Sequence, residues 1–295
     1  MKKSVVASAP GKINLSLDIT GILTNGYHEM DTVLQAIDLC DTITVKKRVQ
    51  DGILIFCDRP RVPCDETNHA YIAALKFFDT FGIDDRGIEI DICKRVPVQA
   101  GLGGGSADAA GVLTALNVLY EVNADVETLC RIGVTVGADV PFCLAGGTRR
   151  ARGIGEQFEQ LPDLPDCLLL IAQPASGIST PESFRRYDRL VGVRHPDVES
   201  LVRAIKAGNV KEAAPHLGNV LEDTAELREI LELKSMMLSA GALGSLMSGS
   251  GSAVFGIFES RWLAKRCMRK LYNKANCVLL AHPVPHGAEV IQVVE

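Results

Sequence analysis

At 295 residues the chain is long enough for two domains of ordinary size, and 47% hydrophobic residues can fill a sizeable core. A formal net charge of -5, with no long basic block, excludes nucleic-acid backbones and anionic membranes as expected partners. The 9 cysteines are odd in number and scattered without a CxxC pair, which points to reduced, buried thiols rather than disulfides or a zinc site. The first residues, MKKSVVASAPGKIN, break their apolar run at Pro10 and Lys12, unlike an export signal, and no apolar run approaches the ~20 residues of a membrane span. The expected compartment is the cytoplasm.

In chain order, Ile13, Leu15, Leu17 and Ile19 alternate with Lys12, Asn14, Ser16 and Asp18, the period-two pattern of a half-buried strand. Lys12 and Asn14 therefore face the same way. The GILTNGYHEMDT segment, with its Asn25-Gly26 turn signal, is expected as a loop, followed by extended structure over 33–39 and 41–46. Ala70, Ala73, Ala74, Phe77, Phe78 and Phe81 predict a helix over 67–81, and a strand over 87–93 leads through KRVPVQ into a glycine-rich loop. Ala109, Leu113, Leu116 and Tyr120 mark one face of a helix starting near Ser106, whose hydroxyl suits an N-cap. Another helix covers 126–134 and ends in the GADVP turn.

Around 150–166, GIGE and the Pro162 to Pro165 stretch mark a domain boundary. Beyond it the pattern predicts a strand over 167–172, helices over 198–207 and 223–240, strands over 243–247 and 253–258, a helix over 261–273 and two final strands. That order gives an α+β fold with domains 1–155 and 156–295, the second ferredoxin-like. The sequence has no internal repeat or low-complexity segment.

Within GLGGGSADAAG, Gly101, Gly103, Gly104 and Gly105 precede a helix and follow a strand. Backbone N–H groups free of side chains can cradle phosphates there, and the helix N-terminus favours negative charge. The pattern is not a P-loop, which needs GK[ST], nor a dinucleotide GxGxxG, since residue 106 is Ser. PGKIN places Lys12 on a strand just after a Pro-Gly turn, and GADVPF places Asp139 in a turn before Pro141. Phosphoryl transfer uses both kinds of group, a cation beside the moving phosphoryl and a carboxylate that orients or deprotonates the accepting hydroxyl. LMSGSGSAVFGIF reads as strand, small-residue turn and strand. Each segment alone has a plain structural explanation, as a tight turn, a solvated lysine, a helix-ending aspartate or a hairpin. Their co-occurrence points to chemistry.

Together these segments resemble the GHMP kinases, the superfamily of galactokinase, homoserine kinase, mevalonate kinase and phosphomevalonate kinase. PGKIN is similar to its first motif, PVQAGLGGGSADAA to its second and SGSGSAVF to its third, over nearly the whole length. Within it, APGKINLSLDITGILTNGYHEMDTVLQAIDLCDTI, GADVPF, RGIGE and ISTPESF look like the branch that phosphorylates 4-diphosphocytidyl-2-C-methyl-D-erythritol on the methylerythritol phosphate route to isoprenoid precursors. NGYHEMDT is the most telling element.

The resemblance implies a two-domain architecture with the active site in the cleft between domains. It implies ATP as donor, Mg²⁺ held mainly through the ATP phosphates with Ser106 as a candidate protein oxygen, and a small-molecule acceptor carrying a cytidine diphosphate group, phosphorylated on its 2-hydroxyl. Lys12 and Asp139 would be catalytic, with Asp139 as base. ATP would be held by Asn68, Lys94, Pro97, Gly101, Leu102, Gly103, Gly104, Gly105 and Ser106. The substrate would meet Asn14, Tyr27, His28, Asp108, Thr180 and Phe184, with Tyr27, His28 and Phe184 around the cytosine. By composition alone Asn68 and Lys94 read as ordinary surface residues, and Asp108 as either a helix-dipole partner or a contact to substrate or magnesium. No dedicated metal cage is expected, and nothing sets the oligomeric state. Two other readings compete: a superfamily kinase for another alcohol, against which Tyr27, His28 and Phe184 speak, and a catalytically silent binding protein on the same fold, against which Lys12 and Asp139 speak.

Overall fold

The structure is a computed structural model that describes residues 2–24, 26–225 and 228–295. Its longest elements come first: β1 (Ser4–Ile22) and β2 (His28–Lys47) form an antiparallel hairpin. Alternation places Val5, Ala7 and Ala9 in one core; a bulge between Pro10 and Lys12 then shifts the register. Beyond it Ile13 and Leu15 enter a second core, and Leu17 and Ile19 a third. One strand thus contributes to the three largest packed regions while its even-numbered side chains, Lys12 and Asn14 among them, stay on the other side.

Next, β3 (Ile53–Cys57), which no sequence pattern announces, lies parallel to β4 (Ile88–Cys93), and β4 pairs with the distal half of β2. Between them runs α1 (His69–Phe81), capped by Asn68, whose side chain accepts the Ala70 N–H at 2.8 Å. With α2 (Gly104–Leu119), α3 (Val126–Gly133) and α4 (Val140–Ala145), it covers the sheet face bearing Val5, Ile43, Val45, Ile88 and Ile90. The proximal half of β2 pairs with β5 (Thr148–Gly153), which pairs in turn with β6 (Gln157–Gln160).

The second sheet begins with β7 (Leu168–Gln173). After it come α5 (Thr180–Tyr187), α6 (Val198–Lys206), α7 (Val210–Ala213), the two-residue β8 (Gly218–Asn219) and α8 (Arg228–Ser239). Then β9 (Gly244–Met247), β10 (Val254–Phe258), α9 (Arg261–Leu271) and β11 (Cys277–Ala281) give the strand order β11-β7-β10-β9, antiparallel throughout. Ile230, Leu233 and Met237 of α8 and Ala264, Cys267 and Leu271 of α9 pack together with Leu168, Leu170 and Val254 of this sheet. That is the expected ferredoxin-like arrangement. On its other face Leu169, Ile171, Leu246 and Phe255, among others, share a core with Ile13 and Leu15 of β1, so the two halves pack together.

Several expectations are corrected. β12 (Glu289–Val294) returns to pair with β1, giving the first sheet the order β12-β1-β2-β4-β3. Both β6 and β12 lie beyond residue 155 yet complete the first sheet, so a division into 1–155 and 156–295 cuts through it. The segment expected as a loop is mostly strand. Met30, Asp31 and Thr32 pair with β1 on one side and β5 on the other, so ladder pairing overrides composition. Asn25 of the turn signal, and residues 226 and 227 of the helix expected over 223–240, lie outside the described residues. All nine cysteines are free, but only Cys143, Cys167 and Cys267 are fully buried, and Cys64 is exposed. Among the described residues no helix is long and apolar enough to cross a membrane.

Close packing of α2 on the hairpin depends on Gly111, where a Cβ would lie 2.6 Å from Ile43 Cγ1 and 3.2 Å from Ala9 Cβ. Gly111→Val is expected to destabilise the fold by about 1–3 kcal/mol through overpacking, read as a thermal midpoint lower by several degrees.

Candidate active site

The glycine loop is held by partners distant in sequence. The Leu102 carbonyl accepts the Lys12 N–H at 2.9 Å, and the Ala100 carbonyl accepts the Ala253 N–H at 3.0 Å. Ser248, in the turn between β9 and β10, donates its hydroxyl to the Gly101 carbonyl at 2.9 Å. Gly101 has φ +74°, and a Cβ there would fall 2.0 Å from the Ser248 carbonyl oxygen. Gly103, at φ +71°, is the N-cap of α2, and its Cβ position lies 2.9 Å from Lys12 Cγ.

The cap was expected at Ser106; in the structure Ser106 is the third helical residue, and α2 has no side-chain cap. The first helical bond of the turn runs from the Ala107 N–H to the Gly103 carbonyl at 2.8 Å. The N–H groups of Gly104, Gly105 and Ser106 therefore find no acceptor among the described residues, and these residues line a cavity of about 620 Å³. Three free donors at the positive end of a 16-residue helix form a seat for an anion.

Beside it lies Lys12, 4% exposed. Its ammonium donates to Asn14 Oδ1 at 2.7 Å and pairs with Asp139 Oδ2 at 3.3 Å. Asn14 is oriented in turn by donating to Thr32 Oγ1 at 2.9 Å, while the Thr32 hydroxyl donates to the Ser16 carbonyl. Asp139 sits at the N-cap of α4 without capping it, which leaves the carboxylate, 40% exposed, on the cavity wall. Of the three N–H groups of Lys12, two have partners among the described residues and one does not.

Lys94 is not at the surface. Buried with Asp41 and Asp108, its ammonium pairs with Asp41 Oδ2, with Asp108 Oδ2 at 2.7 Å, and donates to the Gly104 carbonyl at 3.2 Å. Burial pulls this ammonium down, but the charges of Asp108 and Asp41 outweigh it and hold the group above its ordinary range. Burial pushes the Asp108 carboxyl well above the usual carboxylate range despite Lys94, and Asp108 Oδ1 has no partner. Asn68 is likewise buried, as the cap of α1 rather than as a surface residue.

Pro97, Leu102, Thr180 and Phe184 line the same cavity, and the Thr180 and Ser250 hydroxyls are 2.7 Å apart. His28 and Tyr27 do not line it. The His28 ring packs against Phe184 with centroids 4.8 Å apart, and its Nε2 meets Asp188 Oδ1 at 2.7 Å. Tyr27 is 61% exposed. Sequence reasoning missed Thr32, Asp41, Asp188, Asn219 and Ser248. Asn219 donates to the carbonyls of Met247 and Gly249 and so fixes the hairpin that carries Ser248. Thr32, Asp41 and Ser248 stood in segments already quoted, but no role was read for them; these residues act through contacts that span tens to hundreds of residues of chain.

Comparison with known proteins agrees with this geometry. The GHMP kinases N-terminal domain matches residues 68–147, and the GHMP kinases C-terminal domain matches 195–276. A 4-diphosphocytidyl-2-C-methyl-D-erythritol kinase of Caldicellulosiruptor bescii is 42% identical over 265 residues, 89% of this chain and 92% of its own. That of Clostridium novyi is 38% identical over 94% of this chain and 99% of its own. Among solved structures, a 4-(cytidine 5'-diphospho)-2C-methyl-D-erythritol kinase superposes with a TM-score of 0.78 at 34% identity, covering 94% and 98% of the two chains. A homoserine kinase from Cytophaga hutchinsonii reaches 0.81 over 99% and 98% at 23% identity, a likeness of fold alone.

Gly101→Ala would force a side chain into the Ser248 carbonyl. It is expected to weaken nucleotide binding at least about tenfold, one lost charge-assisted contact or more, while far-UV circular dichroism stays that of the parent. Calorimetric titration of both proteins with nucleotide checks it.

Proposed function

The chain belongs to the GHMP kinases, in the branch of the 4-diphosphocytidyl-2-C-methyl-D-erythritol kinases, and from that membership we propose how its site works. The enzyme transfers a phosphoryl group from ATP to 4-diphosphocytidyl-2-C-methyl-D-erythritol, a step of the methylerythritol phosphate route to isoprenoid precursors. The accepting group is the 2-hydroxyl of the methylerythritol moiety. The observation that carries the mechanism is the Lys12–Asp139 pair, 3.3 Å apart beside three unclaimed N–H donors.

In this reading the ATP phosphates lie over Gly101 to Ser106, against the free N–H groups of Gly104, Gly105 and Ser106. Asp139 faces the cavity, accepts the proton of the substrate hydroxyl and turns its oxygen toward the γ-phosphorus; that oxygen forms the new P–O bond as the bond to ADP breaks. Lys12 pairs with Asp139 and directs its remaining N–H to the phosphoryl group in flight. Asn14, held by Thr32, fixes where the ammonium points.

Among the described residues no three His, Cys, Asp or Glu side chains converge on a metal position. The chemistry of the site suits magnesium carried on the nucleotide phosphates, where it would offset their charge, with the Ser106 hydroxyl as a protein oxygen. The cytosine is received by Tyr27, His28 and Phe184, while Thr180 borders the acceptor. The free thiols fit a reducing cytoplasm.

Incubating the protein with ATP, Mg²⁺ and the cytidylylated alcohol is expected to give a product heavier by one phosphoryl group; its absence, from folded protein, would overturn the assignment. Asp139→Ala and Lys12→Ala are each expected to lower kcat about 10²-fold or more with the fold retained. Tyr27→Ala and Phe184→Ala are expected to raise KM for the alcohol several-fold more than KM for ATP, and equal effects would argue against base stacking.

A further inference from the structure

Lys12 and Lys94 are both buried ammonium groups on the cavity wall, and they differ in what remains free. An ammonium has three donors and no acceptor. All three N–H groups of Lys94 have partners within the protein: Asp41 Oδ2, Asp108 Oδ2 at 2.7 Å and the Gly104 carbonyl at 3.2 Å. None is left for a nucleotide. Lys12 keeps one.

Asp41 is the anchor of this group. It is fully buried on β2, and its second oxygen accepts the Arg95 N–H at 2.5 Å and the Val96 N–H at 2.8 Å. Its carboxylate therefore ties the sheet to the segment that enters the glycine loop. Lys94, at the head of that segment, ties it onward to the first turn of α2 through Gly104 and Asp108. Gly104 is also one of the residues whose N–H faces the cavity, so the contact that fixes its carbonyl fixes the helix end that meets the phosphates.

We infer that Asp41, Lys94 and Asp108 form a buried clamp that sets the shape of the nucleotide loop, and that Lys94 acts on ATP through that loop instead of touching it. The three are positioning residues. The inference rests on the reading of Gly101 to Ser106 as the ATP seat.

The test compares Lys94→Met, Asp41→Asn and Asp108→Ala with the parent, by ATP titration calorimetry, by kinetics with each substrate varied, and by thermal midpoint. Asp108→Ala is the mildest cut, since Lys94 keeps Asp41 and alanine suits a helix. The clamp predicts that all three raise Kd and KM for ATP about tenfold, the scale of one charge-assisted hydrogen bond, with kcat and KM for the alcohol within about threefold. It also predicts that Asp41→Asn with Lys94→Met weakens ATP no further than the worse single change, because both cut one structure.

Direct contact predicts otherwise. Asp108→Ala releases an N–H of Lys94 and Asp41→Asn removes the charge that holds another, so ATP binding would hold or tighten while Lys94→Met alone weakened it; that result would overturn the clamp. Lower thermal midpoints with unchanged ATP affinity in every folded variant would also overturn it. If Lys94→Met or Asp41→Asn does not fold, Asp108→Ala decides the matter alone. Failure of the parent chain to bind ATP would overturn the loop reading itself, and the clamp with it.

Discussion

A lysine ammonium 4% exposed in the middle of a strand is the constraint around which this site is built. Removing such a charge from water costs on the order of several kcal/mol unless partners replace the lost hydration. Lys12 has two, Asn14 from its own strand and Asp139 from the start of α4, and each is in place for a reason found elsewhere in the fold. Asn14 shares a strand face with Lys12, and Thr32, on the neighbouring strand, holds its amide. Asp139 reaches the ammonium because α4 packs into the same core as α2, through Val140, Cys143 and Leu144. The stem of Lys12 needs Gly103 to lack a side chain, so the N-cap of the helix that forms the anion seat and the reactive ammonium are fitted to each other.

The two halves of the chain meet at the same place. Ile13 and Leu15, next to Lys12, pack against Leu169, Ile171 and Phe255 of the second sheet, while Val96, Ala100 and Leu102 of the loop segment join that core. The loop is then pinned on both sides, by the Lys12 backbone from the first half and by Ser248 and Ala253 from the second. The loop lies where the two halves meet, and β12 and β8 add further crossings through their pairing with β1.

What the sequence disclosed follows from this organisation. Elements with an apolar period were legible, such as α1 with its alanines and phenylalanines and β1 with its alternation, because the apolar side chains of each lie on one face. The motif residues Lys12, Asp139 and the loop glycines were legible because their segments occur together in one chain, not because any one of them departs from an ordinary turn or strand. By contrast α5 has only Ser183 fully buried, so no apolar stripe announces it. β5 is rich in arginine and is a strand because β2 and β6 pair with it on both edges. Lys94 and Asp41 were illegible for a stronger reason. A charged residue in a sequence reads as exposed, and only the meeting of residues 41, 94 and 108 makes burial tolerable.

Acceptor choice must be read differently from the rest. A homoserine kinase shares this fold as closely as a 4-(cytidine 5'-diphospho)-2C-methyl-D-erythritol kinase does, so the scaffold alone does not separate one alcohol from another. The residues we assign to the cytidine lie at the rim, on the short connection after β1, at the start of β2 and on α5, where little of the core depends on them. Phe184 packs beside His28, and His28 is held by Asp188, all within a few residues of the chain on each side. Side chains so placed can change without disturbing the Lys12 pair or the loop. The phosphoryl-transfer apparatus is therefore fixed by packing, while recognition of the acceptor is carried by groups that packing leaves free to differ.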